Sequence, residues 1–181
     1  MSESPDTRAK ILQAAREVFA EQGFQKGSIE SIARRVGVSK TLVFWYFKNK
    51  ENLVSEVIKT VSPSRIVEEC LKRKLKGHEM IDCLVDKYYD FLRNDINVKL
   101  TFHLLDLATL DPKYREMYET FCEVDLKSIV KLITCNEGLG PLLDAFARAL
   151  HGSLLCNVSS GTPKEYTKEV IKSLFSKYMK C

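Results

Sequence analysis

Glycine and proline are scarce in this chain, eight and five in 181 residues, which excludes architectures that turn every few residues, such as sandwiches and barrels. Apolar residues instead recur at intervals of three and four over long stretches, so the chain reads as all-α. No apolar run approaches the roughly 20 residues that cross a bilayer, and the opening Met1-Ser-Glu-Ser-Pro-Asp6 lacks the basic end and greasy segment of a secretion signal. The expected compartment is the cytoplasm, with no membrane partner. The six cysteines, at 70, 83, 122, 135, 156 and 181, form no C-x-x-C pair, and the nearest in sequence stand thirteen apart. This argues against a zinc ribbon or a disulfide framework and for reduced thiols in helices. No His or Cys recurs with another at i,i+3 or i,i+4, and the chain holds no H-E-x-x-H, no phosphate-cradling glycine loop, no nucleophile elbow and no EF-hand. No metal, no cofactor and no enzymatic activity are expected.

With 45% apolar and 29% charged residues, there is material for a buried core in one or two small domains. The formal charge of +4 is small, but it is unevenly spread. Residues 1–62 carry ten Lys or Arg against seven Asp or Glu. Within 26–50 there are six bases, Lys26, Arg34, Arg35, Lys40, Lys48 and Lys50, against the single acid Glu30. Such a density is what a polyanion reads.

Asp6 or Thr7 can cap a first helix in which Ile11, Ala14, Ala15, Val18 and Phe19 share a face. Gly23 supplies a left-handed stop, and Phe24 can fold back on the last turn. Ser28 opens a short second helix with Ile29, Ile32, Ala33 and Val36 inward. Gly37 ends it, Val38 plugs the corner and Ser39 caps a third helix, which is the helix-turn-helix arrangement. On that third helix Val43 and Phe47 point inward, with Lys40 and Tyr46 flanking them. Thr41 and Trp45 point outward, with Leu42 and Phe44 on the shoulders. Large apolar groups on the outside of a basic helix need a partner, and duplex DNA offers thymine methyls and sugar edges beside its phosphates. Asn49 can cap a fourth helix, which puts Lys50 at its first position, the wrong sign for a helix N-terminus unless an anion sits there. Ser28 could reach a second phosphate in the same manner.

The runs Thr7-Arg-x-x-Ile-Leu-x-Ala-Ala, Phe19-Ala-Glu-x-Gly-Phe24, Ser28-Ile-x-x-Ile-Ala33, Gly37-Val-Ser39 and Tyr46-Phe-x-Asn-Lys-Glu-x-Leu53 together resemble the DNA-binding domain of TetR-family transcriptional regulators, over about residues 7–58. The resemblance implies a three-helix DNA-binding head, residues 1–62, on a helical body, residues 63–181, that dimerises and binds a small-molecule effector. By the same resemblance Ser28, Tyr46 and Lys50 contact the DNA backbone, while Lys40, Thr41, Phe44 and Trp45 face the groove. Arg34, Arg35 and Ser39 complete the candidate DNA-binding set. Thr41 stands where the family commonly has Gly, Leu42 where a hydroxyl residue is frequent, and Phe44 where Tyr is frequent. Two polar contacts are lost, and a more apolar, shape-based reading of the operator follows. The implied function is a ligand-responsive repressor, a homodimer on a palindromic operator, released by a hydrophobic or amphipathic molecule. The alternative is a helical ligand carrier or interaction module whose DNA binding is weakened or lost.

Ser62-Pro63-Ser64 breaks the pattern and marks a hinge. The periodicity then predicts helices near 64–76, 78–93, 97–109, 112–134, 141–157 and 163–179, four of them opened by prolines, with the basic run Lys72-Arg-Lys-Leu-Lys76 on a solvated helix face. Ala145, Ala149, Gly152, Ser153 and Cys156 form a small-residue stripe, and Tyr166, Val170, Leu174 and Tyr178 recur at matching intervals. The two helices suit half of a four-helix interface with a second copy, with intramolecular packing as the alternative, and the family resemblance favours the dimer. An effector pocket is expected among Tyr88, Phe91, Phe102, His103, Asp106, Tyr118 and Phe121. Val98–Leu110 is apolar on nearly every side, so Thr101, His103 and Asp106 are expected to be buried polar groups, satisfied by the core or by a ligand. Arg148 and His151 share that ambiguity.

Overall fold

The structure, a computed structural model, describes residues 5–181, apart from the side chains at 5, 64 and 121–123. Among the described residues every regular element is helical. The chain divides into two compact units, Met1–Val61 with Asp95–Arg115, and Ser62–Asn94 with Glu116–Cys181. Among the described residues no helix is long and apolar enough to cross a membrane.

The first unit holds α1 (Pro5–Lys26), α2 (Ile29–Val36), α3 (Lys40–Phe47), α4 (Lys50–Lys59) and α8 (Asp95–Leu110). Helix α1 begins one residue before Asp6, with Pro5 in its first turn, where its missing N–H costs nothing. Asp6 is therefore inside the helix rather than its cap, and it pairs with Lys10 at 2.6 Å. Gly23 interrupts α1 at φ 77, ψ 163, a backbone that a side chain resists. Phe24 then returns onto Phe19 with ring centroids 5.4 Å apart. A Cβ at Gly27 would lie 2.5 Å from the Phe19 ring, so this corner closes only over glycine. Ile11, Ala15, Val18, Phe19, Ile32, Val43, Leu53 and Ile58 are buried together, each large one contributing about 1.5–3 kcal/mol. Helix α8 packs along α1. The half-buried Arg16 guanidinium donates to Thr60 Oγ1 at the end of α4 and to Asn97 Oδ1 on α8, tying the three helices at one point.

The second unit holds α5 (Pro63–Ile66), α6 (Glu68–Lys72), α7 (Gly77–Leu92), the end of α9 (Pro112–Thr120), a π-helical turn (Phe121–Leu126), α10 (Lys127–Thr134), α11 (Leu142–Ser159) and α12 (Lys164–Ser176). The single helix expected over 64–76 is broken at Val67, and it stops at Lys72 before a turn in which Lys74 takes φ 54. The basic run is solvated, as expected, but much of it lies in this turn. Helix α7 is the centre: Met80, Ile81, Leu84, Val85 and Tyr88 are fully buried, with α10, α11 and α12 packed against it. Asp86 on α7 takes Lys164 at 3.0 Å and Lys168 at 2.9 Å, and Asp82 takes Lys172 at 2.6 Å, fixing the register of α12. Burial alone would raise the Asp86 carboxyl, but its two lysines outweigh that and hold it below the usual carboxylate range. Phe146 stacks on Phe175 at 5.0 Å.

The cysteines depart from expectation. Cys70 and Cys83 form a disulfide between α6 and α7, and Cys135 and Cys181 form a second. The partners come from different elements, 13 and 46 residues apart, so a search for helical spacing has no purchase on them. Cys156 is exposed and free, and the Cys122 side chain lies outside the described residues.

Candidate nucleic-acid interface

The corner between α2 and α3 is built by caps. Ser28 Oγ accepts the Ser31 N–H at 3.1 Å, satisfying one of the amides that a helix start leaves orphaned. Gly37 ends α2 at φ 76, ψ 35, and the Ala33 carbonyl accepts from both Gly37 and Val38, each at 3.0 Å, the left-handed closure that only glycine adopts cheaply. Ser39 Oγ then accepts the Leu42 N–H at 3.1 Å, and Asn49 Oδ1 accepts the Asn52 N–H at 2.8 Å at the start of α4. Val43 and Phe47 turn into the core, and the Arg8 guanidinium sits 4.9 Å from the Phe47 ring centroid.

The opposite face of α3 is open. Trp45 is 60% exposed and Phe44 44%; Thr41 is exposed beside them. Half-buried Tyr46 meets the Trp45 indole edge-on at 4.8 Å, which limits the rotamers Trp45 can take. The cations of the set differ in their freedom. Arg35 is held bidentate by Glu21 at 2.9 and 2.7 Å, with Glu17 at 3.6 Å; this pairing raises the Arg35 pKa and lowers that of Glu21. Lys40 pairs with Glu30 at 3.2 Å. Arg34 is exposed with no partner among the described residues. So is Lys48, held at φ 65 just past α3 and absent from the sequence-based set; its place in the basic run was the available signal. Lys50 resolves its clash with the α4 N-terminus without an anion: its ammonium donates to the Gln25 carbonyl at 2.7 Å, and burial lowers its pKa.

The candidate effector residues are shared between the two units. Phe102, His103 and Asp106 lie on α8 in the first unit; Tyr88, Phe91 and Tyr118 lie in the second. The Phe121 side chain is outside the described residues. Asp106 is exposed and Phe102 is 49% exposed, because the face of α8 that packs on α1 is the one bearing Leu100, Leu104 and Leu107; the expectation of a buried Asp106 is corrected. His103 is satisfied locally, its Nε2 3.3 Å from the Ala20 carbonyl. Within the second unit, His151 lies between Tyr88 and Tyr118, each ring centroid 6.4 Å away. Burial pushes its imidazole down to about 4, so it is neutral near pH 7.

On α11 and α12, Ala145, Ala149, Gly152, Cys156, Tyr166, Val170 and Leu174 are all exposed. Ser153 is half-buried and accepts from Asn157 Nδ2 at 3.2 Å. Tyr178 leaves this face: it lies past the end of α12 and packs edge-on against Phe146 at 4.7 Å.

The family model for bacterial regulatory proteins of the tetR family matches residues 11–57, the span that carries all three caps and the exposed face of α3. Over this span the chain is similar to the DNA-binding domain of the tetR family. Among curated relatives, the fatty acid metabolism regulator protein of Bacillus subtilis is 31% identical over 97 residues, 52% of this chain and 50% of that one. The transcriptional activator FasR of Mycolicibacterium smegmatis is 24% identical over 136 residues, 74% of this chain and 62% of FasR. The chain thus spans half to three-fifths of the length of these curated relatives. The fold is that of Salmonella enterica GusR, with a TM-score of 0.68 at 22% identity, covering 100% of this chain and 99% of that one.

Proposed function

We propose that this TetR-family chain is a ligand-responsive transcriptional repressor that binds a palindromic operator as a homodimer. Residues 1–62 act as the DNA-binding head and 63–181 as the effector-binding and dimerisation body. One observation carries the reading: Trp45 and Phe44 stand exposed on the outer face of a helix whose inner face is locked into the core, within a family of regulators. Such a face fits the major groove, where Thr41, Phe44 and Trp45 meet base methyls and sugar edges. The capped starts of α2 and α4, with Ser28, Tyr46 and Lys50, meet phosphates. Arg34 and Lys48 add mobile charge, while Arg35, Lys40 and Lys50 exchange their present partners for phosphate on binding. The exposed stripe of α11 and α12 supports a second copy, which sets two heads on two half-sites. Tyr88, His151 and Tyr118 offer an aromatic, uncharged surroundings for an apolar or amphipathic effector. The name of the Bacillus relative, which ties that protein to fatty acid metabolism, is in keeping with such a ligand. Cytoplasmic residence follows from this role.

The test is a titration of the full chain against the duplex upstream of its own coding sequence across a range of salt. Affinity should fall steeply as salt rises, with Lys50→Ala reducing the slope by about one unit. Trp45→Ala should weaken specific binding roughly thirtyfold, as loss of a central aromatic anchor does. Ligand binding with no duplex binding at low salt would favour the helical carrier instead.

A further inference from the structure

The stretch 62–76 is the least regular part of the second unit. Its two helices are four and five residues long, neither has a side-chain cap, and Lys72, Arg73 and Lys74 are exposed to solvent. It is fastened to the long helix α7 by the fully buried Val67, by the ion pair of Glu69 with Lys87, and covalently by the bond between Cys70 and Cys83. The two sulfurs are not equivalent. Cys70 is completely buried, whereas Cys83 is half-buried and lines an open groove of about 430 Å³. The carboxylates of that groove are matched by Arg73, Lys87 and the α12 lysines that pair with Asp82 and Asp86, so entry is governed by size more than by charge. A small reagent reaches one sulfur and not the other.

We propose that Cys70 and Cys83 are a dithiol–disulfide modification site, oxidised by small hydroperoxides that enter through the α7 groove, and that the bond locks the 62–76 stretch onto α7. The Cys83 thiolate attacks one peroxide oxygen, the O–O bond breaks, and the other oxygen leaves with a proton as an alcohol or water. Cys83 is then a sulfenic acid. The Cys70 sulfur attacks it, the S–S bond forms and water departs. Two thiols and one hydroperoxide thus give one disulfide, one alcohol or water, and one further water. Reduction runs through the same groove. A small thiolate attacks Cys83, Cys70 leaves as the thiolate, and a second small thiol releases the first as a low-molecular-weight disulfide. The second bridge is a built-in reference, because Cys135–Cys181 ties the residues after α12 to the end of α10 and includes no residue of 62–76.

The site is independent of whether the chain binds DNA, and so is its test. The full chain is reduced, treated or not with hydrogen peroxide, and blocked with N-ethylmaleimide. Peptide mass mapping then reads the cysteines, while brief trypsin treatment of unblocked samples reads cleavage at Lys72, Arg73 and Lys74. Peroxide should join the Cys70 peptide to the Cys83 peptide and slow cleavage in this stretch roughly tenfold, since the bond removes local opening. Cys83→Ala should be cut at the reduced rate with or without peroxide, and Cys135→Ala should keep the full response. Maleimide on both Cys70 and Cys83 after peroxide, or equal cleavage of the reduced and oxidised chains, overturns the proposal.

Discussion

In the first unit, α2, α3 and α4 each begin with a side chain, Ser28, Ser39 or Asn49, that accepts an N–H from its own first turn. In the second, α5, α6, α7, α10, α11 and α12 begin with no such bond. These helices are placed instead by what they pack against: the buried row of α7, the Phe146–Phe175 stack, the lysines of α12 on Asp82 and Asp86, and two disulfides. A helix defined by its own caps keeps its ends when neighbours shift, which suits the proposed match to a rigid duplex. A helix defined by packing moves when its neighbours do, which suits the proposed response to a ligand.

That contrast breaks most visibly in the core of the second unit. Phe175→Ala removes a fully buried ring stacked on Phe146 and should cost about 3–5 kcal/mol in a denaturant melt; a loss below about 1 kcal/mol would mean that the stack is not what places α12. His151 sharpens the comparison by pH. Its folded pKa, about 4, lies below the ~6.5 of an unfolded chain, so the unfolded state takes up a proton that the folded one refuses. Stability should therefore fall as pH drops from about 6.5 to about 4, by about 3 kcal/mol in total from this group. A His151→Gln chain should show a correspondingly flatter profile over that window. The smallest effect belongs to the first unit: Ser39→Ala should lose about 1 kcal/mol, read in the same melt, because only one amide of α3 loses its partner.

The legibility of the sequence divides along the same line. Ser28, Gly37, Ser39, Asn49 and the return of Phe24 onto Phe19 were readable because each is a local event within a few residues. The inward and outward faces of α3 followed from its period alone. The breaks at Val67 and Lys74 and both disulfides were not readable, since they depend on neighbours brought close by folding. Asp106 was misplaced for a related reason. An almost uniformly apolar helix does not declare which side is covered, and α8 covers the side facing α1. The position of Lys50 at a helix N-terminus is legible from the Asn49 cap, but its partner, the Gln25 carbonyl, lies across the corner that Gly23 turns.

The chain contains a single tryptophan, and it is Trp45, on the open face of α3 against the edge of Tyr46. Its ultraviolet emission therefore belongs wholly to the proposed recognition surface, with no competing indole anywhere else to blur the signal. Docking of a duplex would be visible as a colour shift in the untouched protein. The second unit carries only tyrosines and phenylalanines as aromatic chromophores, so that reporter speaks for the first unit alone.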